Sequence, residues 1–235
     1  KNEKYNVAKS YILYREKRTQ MRNERLELVK LIGDEELEDV LVDIQKAYPD
    51  YDLKRLYEKF STMSKEGQSL KDRIALLTRS SAELTTKEEP NWERIAGRLL
   101  SYSIACDLKA TEEKLGLTSF YHKISYMIEQ GLYGAYILEN YSHKEVDEIA
   151  TLIDNTRNNL FTYSGLDLLS QRYLIRSHQH VLLESPQEMY IGIAMHLAMK
   201  ETNDRIGWVK KFYDMMSLHK VTMATPTQAN ARKPY

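Results

Sequence analysis

Apolar residues recur at helical spacing along most of this chain, and short polar breaks cut the pattern into segments. Lys4 to Glu24 is a highly charged helix with Val7, Tyr11, Tyr14 and Met21 on one side. Gly33-Asp34 restarts the chain. Asp34 is placed to cap a helix whose first turn carries Glu35 and Glu36, where the macrodipole favours acids. The stripe that follows is Leu37, Val40, Leu41 and Ile44. Pro49 ends this helix, and Asp52 caps the next, striped by Leu53, Leu56, Tyr57 and Phe60. After a break at Gly67, Ser69 with Asp72 opens a helix that turns Leu70, Ile74, Leu77 and Leu84 inward. Pro90 opens a further helix carrying Trp92, Ile95, Leu99 and Leu100. Residues 34–110 are thus predicted to be four helices on short turns.

Past Gly116 the pattern predicts a helix over Thr118–Gln130, with Ile124, Met127 and Ile128 inward and Gly131 as its left-handed stop. Ser142 and Glu145 have the spacing of a capping box, ahead of Val146, Ile149 and Ile153. Tyr173-Leu174-Ile175 and Val181-Leu182-Leu183 flank the polar stretch 176–180 and predict a β-hairpin near 173–184. Ser185-Pro186-Gln187-Glu188 is the clearest local signal: a capping Ser, Pro at the first helical position and Glu at the third. Its helix runs through Ile191, Ala194, Met195 and Ala198, and one more spans about Asn203–Ser217. Residues 221–235, with Pro226 and Pro234, lose the helical period and are expected to be extended. The fold class is therefore mainly α, with one small hairpin and an extended C-terminal segment.

Composition narrows the function classes. The 34 basic and 34 acidic residues cancel, which argues against a protein that neutralises many phosphates of a nucleic acid. With 9 Gly and 5 Pro in 235 residues, long helices are favoured. A single cysteine, Cys106, excludes an internal disulfide framework and a thiolate-based zinc site, and suits a reducing, cytoplasmic setting. The longest apolar run, Tyr190–Met199, is broken by His196 and is too short for a bilayer span of ~20 residues.

Candidate chemistry is sparse. Neither phosphate-cradling glycine motif is present. His178 and His180 lie two apart in the expected hairpin turn, where a solvated role outweighs metal ligation. His196 reads as a core histidine. Asp154, Arg157 and Asn158 read as capping and salt-bridging groups at a helix end. Most of the 17 tyrosines fall on apolar stripes, where packing with the hydroxyl at the rim is the ordinary role. No catalytic or metal-binding set emerges from these residues.

A combination of segments carries more. Trp92–Leu100, Phe120-Tyr121 with Ile128–Gly131, and Asp154–Ser164 come first. Gly165-Leu166 with Arg172–Leu174 and Glu184–Met189 follow, and Phe212–Asp214 with Ser217 and Ala224–Arg232 close the series. In that order and spacing they resemble the large (α) subunit of class I ribonucleotide reductases. Lys4–Met21 resembles the closing helix of an ATP-cone, the regulatory domain that commonly precedes this region. The resemblance divides the chain into 1–24, the end of a cone; 25–110, a degenerate cone-like bundle; 111–220, the reductase N-terminal helical domain; and 221–235, the start of the catalytic barrel. Because the chain begins at Lys1 and the cone's phosphate-holding hairpin is not found, the nucleotide-binding part of the cone is expected upstream.

The resemblance implies an enzyme that reduces ribonucleoside diphosphates to deoxyribonucleotides through a thiyl radical. It implies a radical-generating β subunit with a dimetal–tyrosyl site, a thioredoxin-like reductant, a homodimeric α subunit, and ATP and dNTP effectors. The family's catalytic cysteines would lie beyond Tyr235, so this stretch alone is expected to be inactive, to bind no cofactor, and to meet neither membrane nor nucleic acid. One family position falls within it: Thr225 matches the threonine that contacts the substrate near its phosphate end. A hydroxyl and a backbone N–H before a proline can donate to phosphate oxygens. Ala224 departs from the proline that some relatives carry there. The competing expectation is a free-standing helical regulatory or assembly module without catalysis.

Overall fold

The computed structural model of the chain describes the backbone of residues 2–234 and the side chains of residues 6–234. Lys1 and Tyr235, the outermost positions of the two expected terminal pieces, lie outside them. The chain forms two compact units, 1–102 and 103–235.

The first unit holds α1 (Asn2–Ile32), α2 (Leu37–Ala47), α3 (Leu53–Met63), α4 (Leu70–Ala82) and the opening turns of α5 (Trp92–Leu115). Its core joins Leu28 and Ile32 to Leu41, Ile44, Leu56, Phe60, Leu77, Trp92 and Leu99. Each such burial contributes roughly 1.5–3 kcal/mol. Leu28, Val29 and Ile32 are buried, and α1 runs past its expected end near Glu24 to a stop at Gly33, where φ is +75°; the expected stripe of Val7, Tyr11 and Tyr14 is exposed instead. Arg25 donates to Gln45 at 2.9 Å and meets Glu38 at 3.3 Å, pinning α1 to α2. By contrast, residues 6–20 of α1 are exposed throughout.

Asp34 departs from expectation. α2 begins at Leu37 with Glu36 at the capping position and no side-chain cap. The Asp34 carboxylate instead accepts from the Tyr102 hydroxyl at 2.6 Å and from the Glu36 N–H at 3.2 Å. Asp52 and Ser69 do cap α3 and α4, accepting from the N–H groups of Lys54 and Asp72.

The second unit continues with α6 (Phe120–Glu129), α7 (Tyr136–Asn140), α8 (His143–Ala150), a 3₁₀ turn (Asn155–Leu160) and α9 (Tyr163–Arg172). Then come α10 (Pro186–Ala198), α11 (Arg205–Ser217) and α12 (Thr225–Asn230). Both capping boxes, Ser142 with Glu145 and Ser185 with Glu188, are formed. α10 is the axis of this unit: ten of its residues, from Pro186 to Ala198, are buried. A helix apolar on nearly every side has to be enclosed by its neighbours. It packs most heavily on α11 and also on the 3₁₀ turn.

Two segments differ from the pattern-based expectation. Between 173 and 184 a single antiparallel bridge, Arg176 with Leu182, replaces a hairpin. The reason is local: the Ile175 N–H donates to the Glu184 carboxylate at 3.2 Å, a side chain standing where a ladder partner would be. The C-terminal stretch lacks regular structure over 221–224, but 225–230 forms the short helix α12. Pro226 sits in its first turn, the one place where a missing N–H costs nothing. Among the described residues, no helix is long and apolar enough to cross a membrane.

Candidate functional site

Several of the residues singled out by resemblance, from the segments 154–164, 172–174, 184–189, 212–217 and 224–232, lie far apart in sequence yet meet within the second unit in two polar networks. The first surrounds Arg232. This side chain is fully buried and donates through Nε to Glu184 at 2.5 Å. Nη1 donates to the Gln228 carbonyl at 2.7 Å, and Nη2 to the Tyr173 carbonyl at 2.8 Å. A guanidinium carries five donors and can be buried only where a carboxylate and fixed carbonyls receive them. Those conditions are met here by Tyr173 at the end of α9, by Glu184 two positions before α10, and by Gln228 in α12. The Tyr173 hydroxyl lies 3.3 Å from Thr225 Oγ1, at the start of α12 and exposed.

Backbone contacts close the same region from the other side. The Gly134 N–H donates to the Arg232 carbonyl at 2.9 Å, and the Tyr136 hydroxyl donates to the Ala231 carbonyl at 2.6 Å. Tyr133 is buried with its hydroxyl unpartnered, and burial pushes that phenol far above its usual range. Gly192 of α10 makes room for it. A Cβ there would stand 2.4 Å from the Tyr133 oxygen and 3.1 Å from Arg232 Cδ. Burial lowers the Lys233 ammonium from its ordinary value.

The second network joins Asp154–Asn158, Gln187 and Tyr213–Ser217. The Tyr213 hydroxyl accepts from the Asp154 N–H and donates to Gln187 Oε1, each at 2.9 Å. Gln187 then donates to Asn158 Oδ1 at 2.8 Å. Arg157 stacks 4.8 Å above the Tyr213 ring while donating to Asp214 at 2.7 Å and Ser217 at 2.6 Å. Burial opposes the Asp214 charge, but Lys210 and Arg157 hold its carboxyl below the usual value. Hydrogen bonds from Thr156 do the same for Asp154. Asp154 caps the 3₁₀ turn, as its ordinary reading predicted, and Arg157 is the hub. A third buried charge, Lys123, bridges Glu112 and Glu188. Burial opposes its charge too; Glu188 and Glu112 nevertheless raise it, so the ammonium form holds.

Other candidates fall elsewhere. His178 reaches the Gln130 carbonyl at 3.2 Å, and His180 occupies a left-handed turn with φ +63°; both are exposed. His196 lies 3.2 Å from the Tyr136 hydroxyl, and burial lowers its pKa. Cys106 is half-buried on α5. Among the described residues, no group of three or more His, Cys, Asp or Glu could hold a metal ion. Sequence reasoning gave no role to Glu184, Arg232 or Tyr173. The available signal was Glu184 itself, an acid directly after Val181-Leu182-Leu183, since a charge in an apolar run requires a partner.

The second unit is thus a helical body in which motif residues such as Arg232, Glu184 and Gln187 are buried anchors, while Thr225 lies at its surface. Residues 159–235 match the family model described as the ribonucleotide reductase all-alpha domain. The chain belongs to the ribonucleotide reductase large-subunit family, in its N-terminal region. It is 47% identical over 237 aligned residues to the ribonucleoside-diphosphate reductase subunit alpha of Treponema pallidum, covering 99% of this chain and 28% of that relative. The corresponding subunit of Enterobacteria phage T4 is 29% identical over 76% of the chain and 24% of its own length. Subunit alpha of reductase 1 of Escherichia coli is 27% identical over 72% of the chain and 22% of its length. The chain therefore spans under a third of the length of these relatives.

Proposed function

We propose that this chain is the helical N-terminal part of a class I ribonucleotide reductase α subunit, which reduces ribonucleoside diphosphates to deoxyribonucleoside diphosphates by radical chemistry in the cytoplasm. The identity with the Treponema subunit along nearly the whole chain carries this reading. In it, the second unit buttresses a catalytic barrel and presents Thr225 to the phosphate end of the substrate. The barrel supplies the thiyl radical, a β subunit generates it at a dimetal–tyrosyl site, and a thioredoxin-like protein restores the thiols. ATP and dNTP effectors act on the α subunit, which works as a homodimer.

The supporting geometry is the placement of Thr225. Its hydroxyl is exposed, while the segment that bears it is held from beneath by the buried Arg232. A donor on a rigid support binds a charged oxygen with little loss of conformational freedom. The test is Thr225→Val in the full-length α subunit, assayed with β subunit and reductant. KM for the ribonucleoside diphosphate should rise about tenfold or more, the worth of one hydrogen bond to a charged group. An unchanged KM removes Thr225 from the substrate site.

A further inference from the structure

We propose that Tyr173 is a positioning residue for Thr225: its phenol donates to Thr225 Oγ1 and so leaves the threonine proton free for a substrate phosphate oxygen. This rests on the reading of Thr225 given above, and concerns how that contact is made. The two oxygens stand 3.3 Å apart, at a distance where either can donate. A hydroxyl has one proton. If Thr225 donates to Tyr173, it offers an approaching phosphate only lone pairs, which repel. If Tyr173 donates, the threonine proton points outward, and the phenol's bond polarises it and strengthens its own. An anionic ligand therefore selects the second arrangement.

The fold supplies the rigidity that this requires. Tyr173 closes α9, its N–H bonded to the Leu169 carbonyl at 3.0 Å. Its carbonyl is held by Arg232 Nη2, while Nη1 of the same guanidinium holds Gln228 in α12, three residues beyond Thr225. Arg232 is immobilised in turn by Glu184. One buried cation thus fixes both the backbone that carries the phenol and the helix that carries the threonine. Neither hydroxyl is needed for burial, because Thr225 is exposed and Tyr173 half-exposed.

The experiment uses full-length α subunit with its β subunit and reductant, as wild type, Tyr173→Phe, Thr225→Val and the double variant. Tyr173→Phe keeps the ring and removes only the donor. It should raise KM for the ribonucleoside diphosphate about two- to tenfold, the range of one neutral hydrogen bond, with kcat within about twofold. The double variant should be no worse than Thr225→Val alone, since the phenol acts through the threonine. A raised KM for Thr225→Val with none for Tyr173→Phe overturns the positioning role and leaves the Thr225 reading standing. So does a Tyr173→Phe effect that persists undiminished in the double variant. A fall in kcat with unchanged KM, or a lowered thermal midpoint that accounts for the loss, marks Tyr173 as structural and overturns the proposal. No change of KM in Thr225→Val overturns both readings.

Discussion

Arg232 and Glu184, 48 positions apart, meet at 2.5 Å with side chains 0% and 1% exposed, and this pair ties the C-terminal segment into the second unit. Removing one partner strands a charge in the interior, which costs several kcal/mol, whereas removing both replaces the pair with apolar surface. Arg232→Met should therefore lose about 3–5 kcal/mol, read as a lowered urea midpoint. Adding Glu184→Leu should recover part of that loss. A double variant as unstable as the single would show that the stranded carboxylate is not the cause.

Tyr213 is expected to matter through its hydroxyl. Tyr213→Phe leaves the Asp154 N–H and Gln187 Oε1 without their bonds at 2.9 Å. An unmet buried polar group costs about 1–3 kcal/mol, so destabilisation of that order should appear in thermal unfolding. Amide exchange at Asp154 should quicken as well. Unchanged protection there would contradict the network.

Gly192 is a packing constraint with a specific opponent. Gly192→Ala drives a methyl to 2.4 Å from the Tyr133 oxygen, and such overpacking costs about 1–3 kcal/mol. Tyr133→Phe removes that oxygen, which has no partner to lose. The cost of Gly192→Ala should accordingly shrink in the Tyr133→Phe background. Strict additivity of the two changes would place the strain elsewhere.

Acid should weaken the second unit through Glu145. Bonds from Arg205 and Ser142 lower its pKa from 4.5 to about 2. Because the folded-state value is the depressed one, the unfolded chain binds the proton first as pH falls. The contribution is complete above pH about 4.5 and is lost as pH falls toward about 2. Arg205→Gln removes the largest cause, so stability measured across that window should fall less steeply than in wild type. An identical slope would assign the acid sensitivity to other carboxylates.

Much of the local structure is legible in the sequence. Ser142 with Glu145 and Ser185 with Glu188 announce their helices because a capping box involves only neighbouring residues. The limits were equally physical. Asp34 has the chemistry of a cap, but Tyr102, 68 residues away, engages it. The alternation around 173–184 has the period of a hairpin, yet the Glu184 carboxylate takes the N–H that pairing strands would share. Tyr102 lies outside any local window around Asp34, and Glu184, though near Ile175 in sequence, is held by Arg232, 48 residues further on.

Resemblance alone points to Thr225, and nothing in its own segment indicates what supports it. Sequence by itself determined most of the longer helices, the caps at Asp52, Ser69, Ser142 and Ser185, the Pro186 start and the kinship of the chain, because these depend on near neighbours or on ordered motifs. Tertiary structure alone decided that Arg232 is buried, that Glu184 neutralises it, that Gly192 yields space to Tyr133, and that Tyr173 stands beside Thr225. Burial and long-range pairing are properties of the folded chain: a charge enters the interior only where distant segments bring its counter-charge and carbonyls to one place.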